Sequence, residues 1–486
     1  LQIIEGEKYK TLAENNRINV RILAPTRGQI VDRFGVLLAD NLQNFQAVIT
    51  PEQVENLEKS LRDLQAVIPV DESSIKRVLR LAKKNSAYIV LEIRDHLNWD
   101  EVSAIEVNLP HLSGISVQAG ELRNYPYKEA LAHIIGYVGR VSEQDMSYDP
   151  LLSLPGFQVG KSGIEKHYET VLQGKPGKAE MEVNVHGRPV RELGRTLGQS
   201  GARLVLTIDA EYQRFVQQRL ATERSAAAIV MDAKTGEVYA MASHPSYDPN
   251  SFAGGISAMD WEQLRDDPAH PLNNKVTGGV FPPGSTFKIV TALAGLEAGV
   301  INRNTLSFCP GHYDLWSNRF HCWKQGGHGN VNVVRALAES CDVYFYRMAA
   351  AVGIDRIANM ARRLGFGSNL NFDFPEVKTG LVPDIAWKKR ERKGDPTWHP
   401  GETINASIGQ GYMLGSPLHL VTMLARVVNG GKMVSPWLAS YKGKEDALGA
   451  AIKAGDDLGI KQEHLNMVRE GLESVLLPGG TAIASR

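Results

Sequence analysis

The sequence predicts an α+β protein built from two modules, residues 1–200 and 201–486. Three observations carry this reading. The chain has 486 residues, more than a single ordinary domain holds. Its first 200 residues alternate amphipathic helical patterns with short β-like runs. Near Gly201 the pattern changes to a strand, a helix and a hairpin, followed by long apolar helical stretches.

The hydrophobic content of 43% and charged content of 22% are those of a folded globular protein. Acidic and basic residues balance at 54 each, so no cationic surplus exists to neutralise nucleic-acid phosphates. No run of 18 apolar residues is present, so no segment reads as a membrane span. The sequence begins at Leu1 rather than Met, and an upstream signal or anchor is therefore expected.

In the first module, EQVENLEKSLRDLQAVI (52–68) places Val54, Leu57, Leu61, Leu64 and Val67 on one helical face. DESSIKRVLRLAKK (71–84) begins with acids and ends with bases, as a helix dipole favours. AYIVLEI (87–93) and GISVQAG (114–120) read as strands, and 173–193 as a loop, a strand and a turn. GKSG at 160–163 lacks the upstream glycine of a phosphate loop and is set aside. In the second module, ARLVLTIDAEYQRFVQQRLATE gives a strand and a helix. AAAIVMDAKTGEVYAMAS (226–243) gives a β-hairpin whose tip contains a first Lys-Thr-Gly, Lys234–Gly236.

The most informative stretch is FPPGSTFKIVTALAGLEAGV (281–300). Pro282 and Pro283 block a helix, Gly284 turns the chain, and Ser285 opens a helix with a wide apolar face. Ser285 and Lys288 then lie one turn apart on one face. A serine hydroxyl is a weak nucleophile that needs a nearby base, and a desolvated lysine can serve as one. The helix N-terminus adds positive potential where an oxyanion would develop. The alternative is that Ser285 is an N-cap. Ser-x-x-Lys alone decides little, because Ser73–Lys76 spells it too, on a charged helix with no assigned role. RALAESCDVYFYRMAAAVG (335–353) places Ser340 and Asp342 at the join of two helical patterns. There a second hydroxyl relays a proton, and Asp342 bonds Lys288 or a substrate amide. TINASIGQGYMLGSPLHLVTMLARVVNGG (403–431) gives a glycine-rich turn and a helix capped by Ser416-Pro417.

Together these segments resemble the class B penicillin-binding proteins, over essentially the whole chain. RGQIVDRFGVLLAD (27–40), RNYPYKEALAHIIGYVG (123–139) and GKSGIEKHYE (160–169) resemble that family's N-terminal and pedestal segments. SYDPNSF, FPPGSTFK, ESCD and IGQGY follow in family order. Asp at the third position of Ser-x-Asp, and WKQGGHGNVNV (323–333), point to the elongation-specific subgroup. The resemblance implies a non-catalytic pedestal of the dimerisation type over 1–200. It implies a transpeptidase domain over 201–486, an antiparallel sheet flanked by helices. The implied activity is peptidoglycan D,D-transpeptidation through an acyl-enzyme on Ser285. Lys288 would be the base, with Ser340 and Asp342 assisting proton transfer, and β-lactams would acylate the same serine. Stem peptides on lipid-linked glycan strands, the membrane glycosyltransferase RodA and the elongation scaffold MreC are the implied partners. The implied location is the inner membrane, with the catalytic domain in the periplasm. The other readings are a catalytically silent scaffold and a serine β-lactamase.

A second Lys-Thr-Gly lies in EVKTGLVP (376–383). It precedes the Gly-Gln-Gly-Tyr segment, whereas the family's third motif follows it on an edge strand. Lys378-Thr379-Gly380 is therefore read as a turn. The true third motif is expected beyond Arg486, leaving the C-terminal part of the sheet outside this sequence.

Cys309, Cys322 and Cys341 all fall between Lys288 and Asp342. One reading is a Cys309–Cys322 disulfide with Cys341 free, which an oxidising compartment favours. Another is three unrelated buried thiols. The third is a tetrahedral Cys₃His zinc site with His328, flanked by Gly327 and Gly329 just before a helix. The resemblance favours zinc, as structural support for Ser340 and Asp342.

Overall fold

The computed structural model describes residues 18–84, 89–142, 145, 150–154, 157–183, 189–441 and 456–485. The chain divides into two compact units. The first comprises residues up to Leu206 together with Tyr247–Asp266, and the second comprises Thr207–Ser246 and Asp267 onward.

In the first unit, the long strand Leu37–Ile49 pairs antiparallel with Leu91–Arg94 and, over ten residues, with Ile115–Asn124. Three helices, Leu57–Val67, Glu72–Lys84 and Trp99–Asn108, cover this sheet. The periodic face expected for 52–68 is the one that packs. Leu61 and Leu64 are fully buried, and Val54, Leu57 and Val67 border them. Each such aliphatic side chain contributes about 1.5–3 kcal/mol when fully buried. The Asn56 side chain caps the first helix by accepting from the Lys59 N–H at 3.0 Å, and Asn98 and Glu101 form a capping box on the third. The strand expected at 87–93 begins at Leu91, and residues 87 and 88 lie outside the described set. Strands Gly177–Val183 and Pro189–Thr196 form a further antiparallel pair. The reading of 173–193 as a loop, a strand and a turn did not include the second strand, and residues 184–188 between the two lie outside the described residues.

The three pedestal segments singled out in the sequence meet at one buried carboxylate. Glu165 is 0% exposed and accepts from Arg27 Nε and Arg123 Nε, both at 2.7 Å. Arg27 also forms an ion pair with Glu169 at 2.7 Å, and Arg123 Nη1 donates to Asn41 at 3.0 Å. Burial pushes the Glu165 pKa up, but Arg123 and Arg27 overcome this and hold it below its ordinary value.

In the second unit, Ala226–Met231 and Val238–His244 form the expected hairpin. At its tip Asp232 Oδ1 accepts from the backbone of Lys234 and Thr235, both at 2.8 Å, and Gly236 has φ +78°. The first Lys-Thr-Gly is thus a turn. Helices Lys288–Glu297, Asp342–Val352, Ile354–Arg363, Pro400–Ser407, Pro417–Val428 and Gln462–Ser474 contribute to one core with Phe287, Leu293, Phe345 and Met423 at its interior. Ser416 caps the Pro417 helix, and its hydroxyl lies 2.7 Å from Nδ1 of the buried His419. His419 Nε2 is 2.8 Å from the Ser368 carbonyl, so this pair serves the cap. No helix among the described residues is long and apolar enough to cross a membrane.

Candidate active site and metal cluster

Ser285 lies in a 3₁₀ turn, Gly284–Phe287, and the α-helix begins only at Lys288. The sequence reading placed Ser285 at the start of the α-helix, or alternatively as its N-cap. The proline pair explains the difference: Pro283 opens the 3₁₀ turn, and Phe287 flanks the α-helix instead. Ser285 and Lys288 still share a face, because residues three apart eclipse in a 3₁₀ turn. The turn is held from outside by the Gly284 N–H, which donates to the Gly409 carbonyl at 3.0 Å. Gly409 has φ +69°, and a Cβ there would sit 2.4 Å from the Gly284 oxygen. Only glycine lets the Gly-Gln-Gly-Tyr loop approach so closely.

Lys288 is 1% exposed on a helix whose first nine residues are all buried. Its Nζ makes hydrogen bonds to Ser340 Oγ at 2.9 Å, Ser340 O at 2.9 Å and Asp342 Oδ1 at 2.6 Å. Ser340 Oγ in turn lies 3.1 Å from Ser285 Oγ, and Ser285 itself is exposed. The four residues expected to act together therefore form one chain, from a solvent-facing hydroxyl through a second hydroxyl to a buried amine and carboxylate. Hydroxyl protons rotate, so Ser285 can donate to Ser340 while Ser340 donates to Lys288.

Ser340 joins the helices Val333–Ala338 and Asp342–Val352 with φ +52°, the left-handed region. For a residue other than glycine this costs about 1 kcal/mol or more. The strain turns the Ser340 hydroxyl and carbonyl toward Lys288 while Asp342 starts the next helix.

Trp323 was not singled out in the sequence. Its backbone N–H donates to Asp342 Oδ2 at 3.0 Å, and its indole Nε1–H reaches Glu339 O at 3.1 Å and Ser340 O at 3.0 Å. The signals were its place directly after Cys322 and at the head of the segment WKQGGHGNVNV, neither of which gave it a role.

Lys378-Thr379-Gly380 lies in no strand. Lys378 and Thr379 are exposed, and Gly380 takes φ +69° before a single bridge between Leu381 and Leu414.

Cys309, Cys322, His328 and Cys341 are brought together, all buried, with their ligand atoms within 4.8 Å of one another. His328 Nδ1 lies 3.6 Å from Cys309 Sγ and 3.5 Å from Cys322 Sγ. Tetrahedral zinc bonds of ordinary length place sulfur and nitrogen ligands about 3.5 Å apart. The donor set and spacing thus fit a structural zinc ion. All three cysteines are free thiols here, so the Cys309–Cys322 disulfide is not formed. Their convergence on His328 also sets aside three unrelated thiols. A hydrogen bond with Cys341 draws the Cys322 thiol down to about 5, and the same contact together with burial pushes Cys341 up. Between His328 and the helix expected after it, Val333–Ala338, lies a short strand, Gly329–Val331. That strand pairs with Ser307–Cys309, which carries the first ligand. Gly327, at φ +72°, lets the loop press onto the Cys309 carbonyl, 2.1 Å from where a Cβ would stand. Cys341 is both a member of the cluster and the residue between Ser340 and Asp342.

Comparison with known proteins agrees with this architecture. Residues 226–485 match the penicillin-binding protein transpeptidase domain, and residues 22–206 the penicillin-binding protein dimerisation domain. The chain is 38% identical over 445 residues to the peptidoglycan D,D-transpeptidase MrdA of Escherichia coli, covering 90% of this chain and 70% of that protein. It is 36% identical over 445 residues to the Haemophilus influenzae protein of the same name, covering 90% and 68%. Among solved structures, penicillin-binding protein 2 of Helicobacter pylori in complex with MreC superposes with a TM-score of 0.83 at 31% identity, over 96% of this chain and 85% of that one. Penicillin-binding protein 2 of Pseudomonas aeruginosa in complex with WCK 5153 gives 0.72 at 32% identity, over 96% and 82%. The chain belongs to the class B penicillin-binding proteins, with a dimerisation domain followed by a penicillin-binding transpeptidase domain.

Proposed function

We propose that the chain is a peptidoglycan D,D-transpeptidase of cell elongation, with Ser285 as nucleophile, Lys288 as base, Ser340 as proton relay and Asp342 as the carboxylate that orients Lys288. The observation that carries the reading is the continuous chain Ser285–Ser340–Lys288–Asp342. Ser285 Oγ attacks the carbonyl carbon of the penultimate D-Ala, and its proton moves through Ser340 Oγ to the Lys288 amine. The tetrahedral intermediate collapses as the peptide bond breaks, and the proton returns along the same path to the departing D-Ala nitrogen. The amine of a second stem peptide then attacks the ester carbonyl. It passes its proton to the same relay, forms the new amide and frees Ser285. A β-lactam ring enters at the first step, and its cleaved amide remains tethered to the acyl group.

Cys309, Cys322, His328 and Cys341 would hold a zinc ion. Its contribution is structural, fixing the turn that carries Ser340 and Asp342, and the chemistry needs no cofactor. The pedestal is the surface for an MreC-type scaffold, and a RodA-type glycosyltransferase supplies the glycan strands. The protein works at the inner membrane with its catalytic domain in the periplasm.

The test is a native mass spectrum before and after benzylpenicillin. One stable adduct that Ser285→Ala abolishes supports the acyl-enzyme. Turnover of the drug, or no adduct on folded protein, overturns it in favour of a β-lactamase or a silent scaffold. The untreated spectrum also carries the mass of one zinc ion if the cluster is a metal site.

A further inference from the structure

We propose that Trp323 is a positioning residue for the transpeptidase reaction, acting as the clamp that holds Ser340 in its left-handed conformation. The inference rests on the proposed roles of Ser285, Ser340 and Lys288.

The argument is one of peptide planes. The Glu339 carbonyl belongs to the peptide plane before the Ser340 Cα, and the Ser340 carbonyl to the plane after it. The orientations of these two planes about that carbon are φ and ψ. The indole N–H of Trp323 reaches both oxygens, at 3.1 and 3.0 Å, and so spans the two torsions that place the Ser340 side chain. The Ser340 carbonyl also accepts from Lys288 Nζ at 2.9 Å. A carbonyl oxygen accepts two hydrogen bonds, and here both come from groups fixed elsewhere. The backbone N–H of the same tryptophan holds Asp342 Oδ2 at 3.0 Å, leaving Oδ1 for Lys288. One residue thereby fixes the first and third members of Ser-Cys-Asp, while the middle member, Cys341, belongs to the Cys₃His cluster.

The indole is itself held. Trp323 follows Cys322 in the chain, and its ring meets the His328 ring edge-on at 5.5 Å. Yet the residue is 58% exposed, so burial of its surface does not by itself account for a tryptophan here. Phenylalanine would offer a comparable ring and no donor. The nitrogen is the part of this side chain that the turn uses.

The experiment compares wild type with Trp323→Phe and with a variant carrying benzothienylalanine at 323, which keeps the indole shape and replaces N–H by sulfur. Acylation by benzylpenicillin is followed by stopped flow, separating the limiting acylation rate from the dissociation constant of the initial complex. Zinc content and melting temperature are recorded alongside. Both variants should lower the limiting rate about tenfold, the effect of one lost hydrogen bond to an organised site. The initial complex and the zinc content should stay unchanged. Wild-type limiting rates in both variants would overturn the proposal. So would a loss in the phenylalanine variant alone, because ring volume would then be the cause. A wild-type protein that benzylpenicillin does not acylate would instead refute the functional reading on which the proposal stands.

Discussion

Removing the Ser340 hydroxyl should stop acylation without disturbing the fold, and two substitutions separate the chemistry from the strain. Lys288 Nζ bonds to Ser340 and Asp342, while Ser285 Oγ is joined to the network through Ser340 Oγ at 3.1 Å. Ser340→Ala therefore cuts the path between the proposed nucleophile and base. Positioned proton transfer contributes about 10²–10⁴-fold, so acylation by a fluorescent penicillin should fall by at least about 100-fold. Ser340→Gly removes the same hydroxyl but suits φ +52° better than alanine does. Glycine should fall as far as alanine in acylation rate. It should also unfold later, because it offsets about 1 kcal/mol of left-handed strain that alanine retains. The assay is the second-order rate of adduct formation, read beside thermal unfolding. Acylation of Ser340→Ala within threefold of wild type would refute the relay and require Lys288 to reach Ser285 directly. A glycine variant that recovers activity would show that conformation, not the hydroxyl, is what the position supplies.

Two further outcomes follow from residues outside this hydrogen-bond network. Lys378→Ala should leave penicillin acylation unchanged, since Lys378 is exposed in a turn, and a loss beyond tenfold in the same assay would return this triplet to the active site. Glu165→Gln should destabilise the pedestal by about 3–5 kcal/mol, because Arg27 and Arg123 would lose the buried carboxylate that pairs them. Hydrogen exchange should then accelerate across 27–31, 123–125 and 160–169, and unchanged protection there would refute the hub.

The candidate site was legible where residues that converge in space are also close in sequence. Ser285 and Lys288 are three residues apart, and Ser340 and Asp342 two, so each pair could be read before the fold joined them. The hairpin tip at Asp232–Gly236 was legible for the same reason. The helical face of 57–67 was legible because a 3.6-residue period is a local property. Glu165 was not, because its partners lie 138 and 42 residues away and nothing marks one glutamate among many. Trp323 was hidden for a related reason. Its atoms act on residues 16 to 19 positions later, which only the convergence of two loops on one cluster brings within reach. The segment Tyr247–Asp266 lies within the transpeptidase match yet packs with the first unit, a grouping that the sequence pattern does not mark.

The hydrogen bonds at Lys288 also limit how the proton can move. Three groups bond to Nζ: the Ser340 hydroxyl, the Ser340 carbonyl and the Asp342 carboxylate. The carbonyl has no proton, and an ionised carboxylate only accepts. Of the three, the hydroxyl alone can both accept from Lys288 and donate to it. In the proposed mechanism a proton leaving Ser285 and one returning to the leaving amine share a single gate, and the direction of transfer depends on which way one O–H bond points. A rotor of this kind is useful only if its pivot is fixed. That is a physical reason for spending backbone strain at Ser340 and for surrounding its two peptide planes with a lysine, an indole and a cluster of cysteines. As the proposed nucleophile, Ser285 can remain exposed to a bulky substrate because the parts that must not move are all behind it.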